Sequence, residues 1–311
     1  MSARDANRPL VSLVVVTYNA ETLLPTFFSQ LDRTRYEPYE VIVVDNASGD
    51  GTVAYLQANR PSVTVLANPV MRGYARACNE AAGLACGGLL VFMNPDVYVT
   101  AEWLDILVQH VNENPAVGII SPQAHPPGKA FASSSVPLEE IAAVPGCAMM
   151  VRRAAWDDLG GFDPEFQLYW EDTELCWRAW LLGWRVAGDL QAHVVHDESS
   201  AGGGQRWAEE QIKNGLYTYL KLMRWRSVAP FVVIHAGKTL AKAAMLRRPE
   251  IFRAWMWNLR HLRTTLDGRR RLRQRTGGRH THAALERRIR AHSLRRRRQQ
   301  IEEWRRRRGR R

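Results

Sequence analysis

The chain has 311 residues, a formal net charge of +12 and 46% hydrophobic residues, enough for one large domain with a full core plus an appendage. Its four cysteines, Cys78, Cys86, Cys147 and Cys176, form no CxxC pair, which argues against a zinc ribbon or a disulfide framework and fits a reducing compartment. No apolar run reaches the roughly 18–20 residues that cross a bilayer, and the polar start MSARDANRPL does not read as a signal peptide, so a cytoplasmic protein is expected. The charge is unevenly placed. From Arg247 onward there are 24 arginines, no lysine and 5 acids, a local charge of +19, so the preceding 246 residues carry −7. An acidic body with a basic tail is an organisation rather than an average.

In chain order, Leu10 to Thr17 (LVSLVVVT) is a continuous β-branched run, as expected of a strand buried on both faces of a parallel sheet. A helical pattern follows, with Asn19 as its cap. EVIVV, from Glu40 to Val44, repeats the strand signal and runs through DNASGDGT into a helix over Val53 to Asn59. Val63 to Leu66 makes a third strand, Tyr74 to Ala85 a helix of small residues, and Leu89 to Met93 a fourth strand. Strands and helices alternating at this spacing indicate an α/β, doubly wound sheet. Ligands of such sheets sit beyond the carboxyl ends of the strands, which here carry Thr17-Tyr18-Asn19, Asp45-Asn46, Asn68 and Asn94-Pro95-Asp96. Neither GxGxxG nor GxxxxGK[ST] follows a strand, so phosphates would be held another way. A metal at Asp96 is the natural substitute.

Asp163 to Arg178 (DPEFQLYWEDTELCWR) mixes five acids with four aromatic residues. Apolar neighbours raise a carboxyl pKa, which suits a general base, and acids also favour a helix N-terminus. Composition leaves both readings open. Beyond about Pro230 the pattern changes. Ile251 to Leu262 (IFRAWMWNLRHL) sets Ile251, Trp255, Leu259 and Leu262 on one helical face, and past Gly268 the chain is Arg-rich, with four-Arg runs at 295–298 and 305–308 and no core of its own.

Seven segments in order, VSLVVVTYNA, VIVVDNASGDGT, NPVMRGYARACNEA, FMNPD, GCAMMVRRAAWDDLGGFDPEF, YWEDTELCWR and GWRV, resemble the family 2 glycosyltransferases, most of all the rhamnosyltransferase-like branch. The resemblance spans about residues 9 to 225. It implies a GT-A fold: a doubly wound, mixed but mostly parallel sheet flanked by helices, with a C-terminal helical and basic extension. The domains would be 1–227 (a nucleotide-sugar half over about 9–120 and an acceptor half over 121–227), an amphipathic helical segment over 228–267, and an Arg-rich tail over 268–311, helical or disordered.

The same resemblance implies the site. Thr17, Tyr18, Asn19 and Asp45 would enclose the nucleoside, with Asp45 accepting from the base; an Asx turn is the plainer reading of Asp45. Asn68, Arg72 and Gly73 would lie along the ribose and diphosphate, with Arg76 a further phosphate candidate. Asn94 and Asp96 stand where the family carries an Asp-x-Asp triplet, and Asp96 would bind Mg²⁺ or Mn²⁺, with His196 rather than His193 completing the shell. Losing the first acid of the triplet leaves metal dependence less firmly implied. Glu171 and Asp172 look like the catalytic acid pair, Asp172 being the base; Tyr169, Trp170, Glu174 and Arg178 would serve the acceptor. Gly160 and Gly161 read as a flexible entry to that site, and Gly202 to Gly204 as a lid or a plain linker.

The implied activity is that of an inverting, metal-dependent hexosyltransferase. It would move a sugar from a pyrimidine nucleotide sugar, dTDP-rhamnose first and UDP-sugars second, to a cell-envelope glycan or lipid-linked acceptor. The basic tail would attach it peripherally to the anionic inner face of the cell membrane. Two other readings compete: a nucleic-acid-binding protein using the Arg-rich tail, disfavoured by the acidic body, and a sugar-nucleotide nucleotidyltransferase, disfavoured because TYNAET is no Gly-rich, Lys-bearing loop.

Overall fold

The computed structural model describes residues 8–131, 134–197, 205–246, 252–276 and 282–294. The four apolar runs of the first half form β1 (Val11–Thr17), β2 (Tyr39–Asp45), β3 (Thr64–Ala67) and β4 (Leu89–Met93), separated by α1 (Leu24–Leu31), α2 (Thr52–Asn59) and α3 (Tyr74–Leu84). β1 pairs in parallel with both β2 and β4, and β2 with β3. The register sets Thr17 opposite Asp45, Asp45 opposite Ala67 and Val15 opposite Met93, so one edge of the sheet gathers every strand-end polar residue of this half.

The second half adds β5 (Val97–Val99), α4 (Trp103–Glu113), β6 (Val117–His125), β7 (Leu138–Glu140), β8 (Ala148–Arg152), α5 (Arg153–Leu159), α6 (Glu171–Leu181) and β9 (Arg185–His196). The strand order is β3-β2-β1-β4-β8-β6-β9-β5, with β7 on β9. β8 runs antiparallel to β4, bringing Ala148 opposite Met93, and β9 runs antiparallel to β5, bringing His196 opposite Val97. This is the expected mixed, mostly parallel sheet. Side chains alternate across it: Val14, Ile42, Val44 and Phe92 pack with α3, α5 and α6, while Leu13, Val15, Val43 and Val91 pack with α1 and α4. Burying each such Val or Leu is worth about 1.5–3 kcal/mol.

The chain continues as α7 (Gln205–Leu222), α8 (Trp225–Leu246), α9 (Phe252–Arg260) and α10 (Leu262–Arg275), and residues 282–294 are helical. This extension packs on the body. Leu272 and Leu285 join the core, His282 Nδ1 lies 2.9 Å from the Leu222 carbonyl, and the Arg224 guanidinium grips the Glu286 carboxylate. Part of the basic charge is therefore used inside the fold: Arg269 donates to the Leu220 carbonyl, and Arg275 to both the carbonyl and the carboxylate of Asp158.

α9 packs on the body through small and polar residues as well as aromatic ones. Ala254 and Asn258 are buried, with Trp257 packed against the core, while Phe252, Met256 and Leu259 are exposed; the helix stops at Arg260, and Ile251 lies outside the described residues. The cause is close approach to α7: Asn258 donates to the Lys213 carbonyl, and Trp257 meets Tyr217 edge-on while Lys213 sits over its ring. Trp255 is half-buried beside that contact, packed against Ile212 and donating to Thr239 of α8, while Leu259 is exposed. The four-Arg runs and Gly202 to Gly204 lie outside the described residues.

Candidate active site

At the carboxyl edge of β1 and β2, Asp45 is buried and already occupied. Its carboxylate accepts from the Thr17 hydroxyl at 3.0 Å and from the Ser48 amide at 2.9 Å and hydroxyl at 2.5 Å. The turn reading of DNAS is thus realised, and it aims the strand end rather than competing with it. Asn19, at φ +49°, accepts from the Gly49 amide, and Tyr18 stands 55% exposed beside this loop, outside the core. The Asn68 amide side chain donates to Glu80. Arg72 is tied by its backbone N–H to Asn46 and is half exposed, 3.5 Å from Glu80; Arg76 is exposed. Gly73, at φ +82°, caps α3 where a Cβ would meet the Gln167 backbone at 3.0 Å, so glycine is required by both conformation and space.

Asn94-Pro95-Asp96 makes the tight turn between β4 and β5, with the Val97 amide bonded to the Asn94 carbonyl. Asp96 is buried, and its carboxylate lies 3.4 Å from His196 Nε2. The Asp96 carboxylate, and next the Cys147 thiol, raise the His196 pKa to about 10. At neutral pH that imidazole carries its proton and pairs with Asp96; a divalent cation held here would displace the proton, with the Asp96 carboxylate and the neutral His196 Nε2 as its two protein ligands. An all-protein cage is a different matter: among the described residues no group of three or more His, Cys, Asp or Glu gathers. His193, three residues earlier on β9 and so on its other face, joins His125 at 3.1 Å and stacks on Phe131.

The acid pair opens α6. Glu171 is 7% exposed, one carboxylate oxygen has no hydrogen-bond partner among the described residues, and burial, then the Asp172 charge, push its pKa up to about 8. Asp172 is partly exposed; burial raises its pKa as well, opposed by the amides of Thr173 and Gly146. The Gly146 N–H donates to Asp172 at 2.9 Å, and the next residue's carbonyl accepts from the Asn94 amide at 3.0 Å. Two adjacent residues, Gly146 and Cys147, thus touch the acid pair and the Asp96 turn. A Cβ at Gly146 would come within 3.2 Å of the Asp172 Cβ.

The approach to α6 is bent. Tyr169 and Trp170 both hold positive φ, +67° and +74°, a conformation that is costly for aromatic residues. Asn214 of α7 secures it by donating to the carbonyls of Leu168 and Tyr169. The Trp170 indole turns toward α7, donating to Gln211 and meeting Trp177 and Tyr219 edge-on.

Glu174 and Arg178 sit deeper than an acceptor contact allows. Glu174 is fully buried in a fork with Arg178, and Lys221 bridges it to Asp163 at 2.7 and 2.6 Å. Arg178 also donates to the carbonyls of Leu159 and Gly161. Gly160 and Gly161 are consequently a hydrogen-bonded helix end, not a hinge: both amides bond to Trp156, and Asn79 clasps Phe162 through its amide and its carbonyl. Sequence reasoning missed Gly146, Lys221 and Asn214. Each acts through a partner remote in sequence, and no local pattern marks them.

The glycosyl transferase family 2 model matches residues 12–134. An N-acetylglucosaminyl-diphospho-decaprenol L-rhamnosyltransferase of Mycobacterium tuberculosis is 25% identical over 239 residues, covering 62% of this chain and 78% of that protein. The O-antigen biosynthesis protein RfbC of Myxococcus xanthus is 31% identical over 225 residues, 62% of this chain but 18% of its own length. Among solved structures, a mannosyltransferase from Pyrobaculum calidifontis in complex with GDP-Man and Mn²⁺ aligns with a TM-score of 0.58 at 22% identity over 86% of each chain. The matched segment contains the strand ends described above: residues 12–134 carry the family 2 glycosyltransferase pattern, and the chain is similar to relatives of the rhamnosyltransferase-like kind.

Proposed function

We propose that the chain transfers a hexose, rhamnose first, from a pyrimidine nucleotide-diphosphate sugar to a hydroxyl of a cell-envelope or lipid-linked glycan, with inversion. The observation that carries this reading is the asymmetry of the acid pair: a buried Glu171 with its pKa near 8 beside a partly exposed Asp172 bonded to the Gly146 amide. Burial raises the pKa of both acids, so the pair favours holding one proton, and we assign the carboxylate that accepts from the substrate to Asp172, the more accessible of the two. Asp172 takes the acceptor O–H proton as that oxygen forms its bond to the anomeric carbon from the face opposite the diphosphate. The anomeric C–O bond breaks, its electron pair leaves on the nucleoside diphosphate, and the configuration inverts.

Asp45, with Thr17 and Ser48 fixing its carboxylate, would orient the base, and the exposed Tyr18 would cover it. Asn68, Arg72 and Gly73 would follow the ribose and diphosphate. Asp96 and His196 would hold Mg²⁺ or Mn²⁺, whose charge supplies neutralisation of the departing diphosphate. The name of the mycobacterial relative supports the choice of sugar and of a lipid-linked acceptor.

Peripheral association with an anionic membrane is part of the proposal. No helix among the described residues is long and apolar enough to cross a membrane. Exposed Val233, Leu240, Met245, Phe252, Met256 and Leu259 on α8 and α9, together with the basic tail, would lie on its surface. Salt-sensitive co-sedimentation with phosphatidylglycerol vesicles is expected, and salt-independent binding to neutral vesicles would refute an electrostatic contribution.

Asp172→Asn tests the core assignment. The amide oxygen can still accept from Gly146, so the fold and nucleotide binding persist while transfer from dTDP-rhamnose falls by at least about 10²-fold. Turnover within a few-fold of the parent would remove Asp172 as the base.

A further inference from the structure

A cavity of about 1000 Å³ lies on the side of α6 toward β6 and β9, and Asp172 and Thr173 form part of its lining. Such a volume is at the upper end of the range of small-ligand sites. One wall is formed by β7 and the segment after it, including Ile141, and the facing wall by Ile289, His292 and Ser293 of the C-terminal helix 282–294. These residues lie far beyond the family-matched segment, which ends at 134.

The helix is not laid loosely over the opening. Arg288 places its guanidinium 3.8 Å above the Trp180 ring of α6 and pairs with Glu140 of β7. Glu286 accepts from the Arg224 backbone amide and guanidinium, and Leu285 is 2% exposed in the core. The helix is therefore anchored to the element that carries the acid pair and to the strand that begins the opposite wall, and it holds the cavity's width. The lining mixes polar and apolar groups: Asp172, Thr173, Glu139 and Ser293 supply carboxylates and hydroxyls, and Ile141 and Ile289 supply apolar surface between them. Such a lining suits a glycoside that presents both hydroxyls and less polar ring or aglycone faces.

We propose that helix 282–294 is the acceptor-recognition wall of this enzyme, with Ile289, His292 and Ser293 selecting an amphipathic glycoside whose reactive hydroxyl faces Asp172. The inference rests on the glycosyl-transfer reading above, but it concerns the acceptor alone. It makes the Arg-rich extension, at least as far as residue 294, part of the active site rather than a tail.

The full-length chain is assayed with dTDP-rhamnose and Mn²⁺ in two ways: hydrolysis of the donor by water, and transfer to octyl β-N-acetylglucosaminide. Ile289→Trp fills the cavity, His292→Ala with Ser293→Ala strips its polar side chains, and Ile289→Leu is the conservative control. The first two raise the acceptor KM by about tenfold or more and leave donor hydrolysis within about twofold; the His292→Ala, Ser293→Ala pair, which alters no core side chain, also leaves the melting temperature within about 2 °C, and the Ile289→Leu control restores the parent value. A merely structural role would lower hydrolysis, donor binding and melting temperature together, and would overturn the proposal. So would an unchanged acceptor KM. If the parent chain neither hydrolyses nor transfers any sugar from dTDP-rhamnose, UDP-glucose or UDP-N-acetylglucosamine, the glycosyl-transfer reading itself falls, and this inference falls with it.

Discussion

Glu171→Gln isolates the energetic cost of the acid pair. Burial holds the folded carboxyl near 8 against an ordinary value of 4.5, so the folded state keeps a proton that the unfolded chain releases. Between those values stability falls as pH rises, at up to about 1.4 kcal/mol per pH unit; below 4.5 both states are protonated, above 8 both are ionised, and the slope vanishes. From pH 6 to pH 8 the loss comes to about 2 kcal/mol, or a melting temperature lower by roughly 4–8 °C for a domain of this size. Glutamine cannot ionise and removes that slope. It also buries an amide next to an oxygen that has no partner among the described residues, at a cost of about 1–3 kcal/mol that does not depend on pH. The diagnostic is therefore the difference in slope between parent and variant, read by thermal or urea unfolding at pH 6, 7 and 8, and not their difference at one pH. Parallel profiles would refute the inference that Glu171 is protonated at neutral pH, and with it the argument that singles out Asp172 as the base.

Gly146→Ala should press on the Asp172 Cβ and disturb the amide that orients its carboxylate; kcat falls by about 10-fold or more with little change in nucleotide affinity, and an unaffected kcat would show that the contact is not needed. Lys221→Met leaves Asp163 without its cation and Glu174 with Arg178 alone, and should cost about 3 kcal/mol in urea unfolding; a loss below about 0.5 kcal/mol would mean the bridge is worth no more than a surface pair. Asp96→Ala should abolish the stabilisation that Mn²⁺ adds to dTDP-sugar binding in a thermal-shift titration, while Mn²⁺-independent nucleotide binding remains; an undiminished Mn²⁺ response would place the cation elsewhere.

The first half was largely legible because its signals are local. A β-branched run buried on both faces can hardly be anything but a central strand, and β4 (Leu89–Met93) coincides with the predicted segment. The residues following such strands then fall on one edge by register. The second half was less legible. The acidic stretch gave up its helix start and its acid pair, but the burial of Glu174 and the turning of Trp170 toward α7 depend on a helix that begins more than thirty residues later. The packed face of α9 depends on a remote helix in the same way: the close α7 contact buries Ala254 and Asn258 and half-buries Trp255, and leaves Leu259 exposed. Basic residues that looked like a solvated tail proved in part to be internal ties, because their acidic partners, Asp158 and Glu140, lie more than a hundred residues earlier.

Gly146 and Cys147 form a short tie between two parts of the fold that come from separate stretches of chain. The Gly146 N–H meets Asp172 and the Cys147 carbonyl meets the Asn94 amide, so two adjacent residues are bonded to the start of α6 and to the turn that carries Asp96. The two groups lie in different peptide planes, with the φ and ψ of both residues between them, and the pairing of Ala148 with Met93 fixes the chain immediately after them. A movement of β8 along β4 would therefore be felt at both places at once.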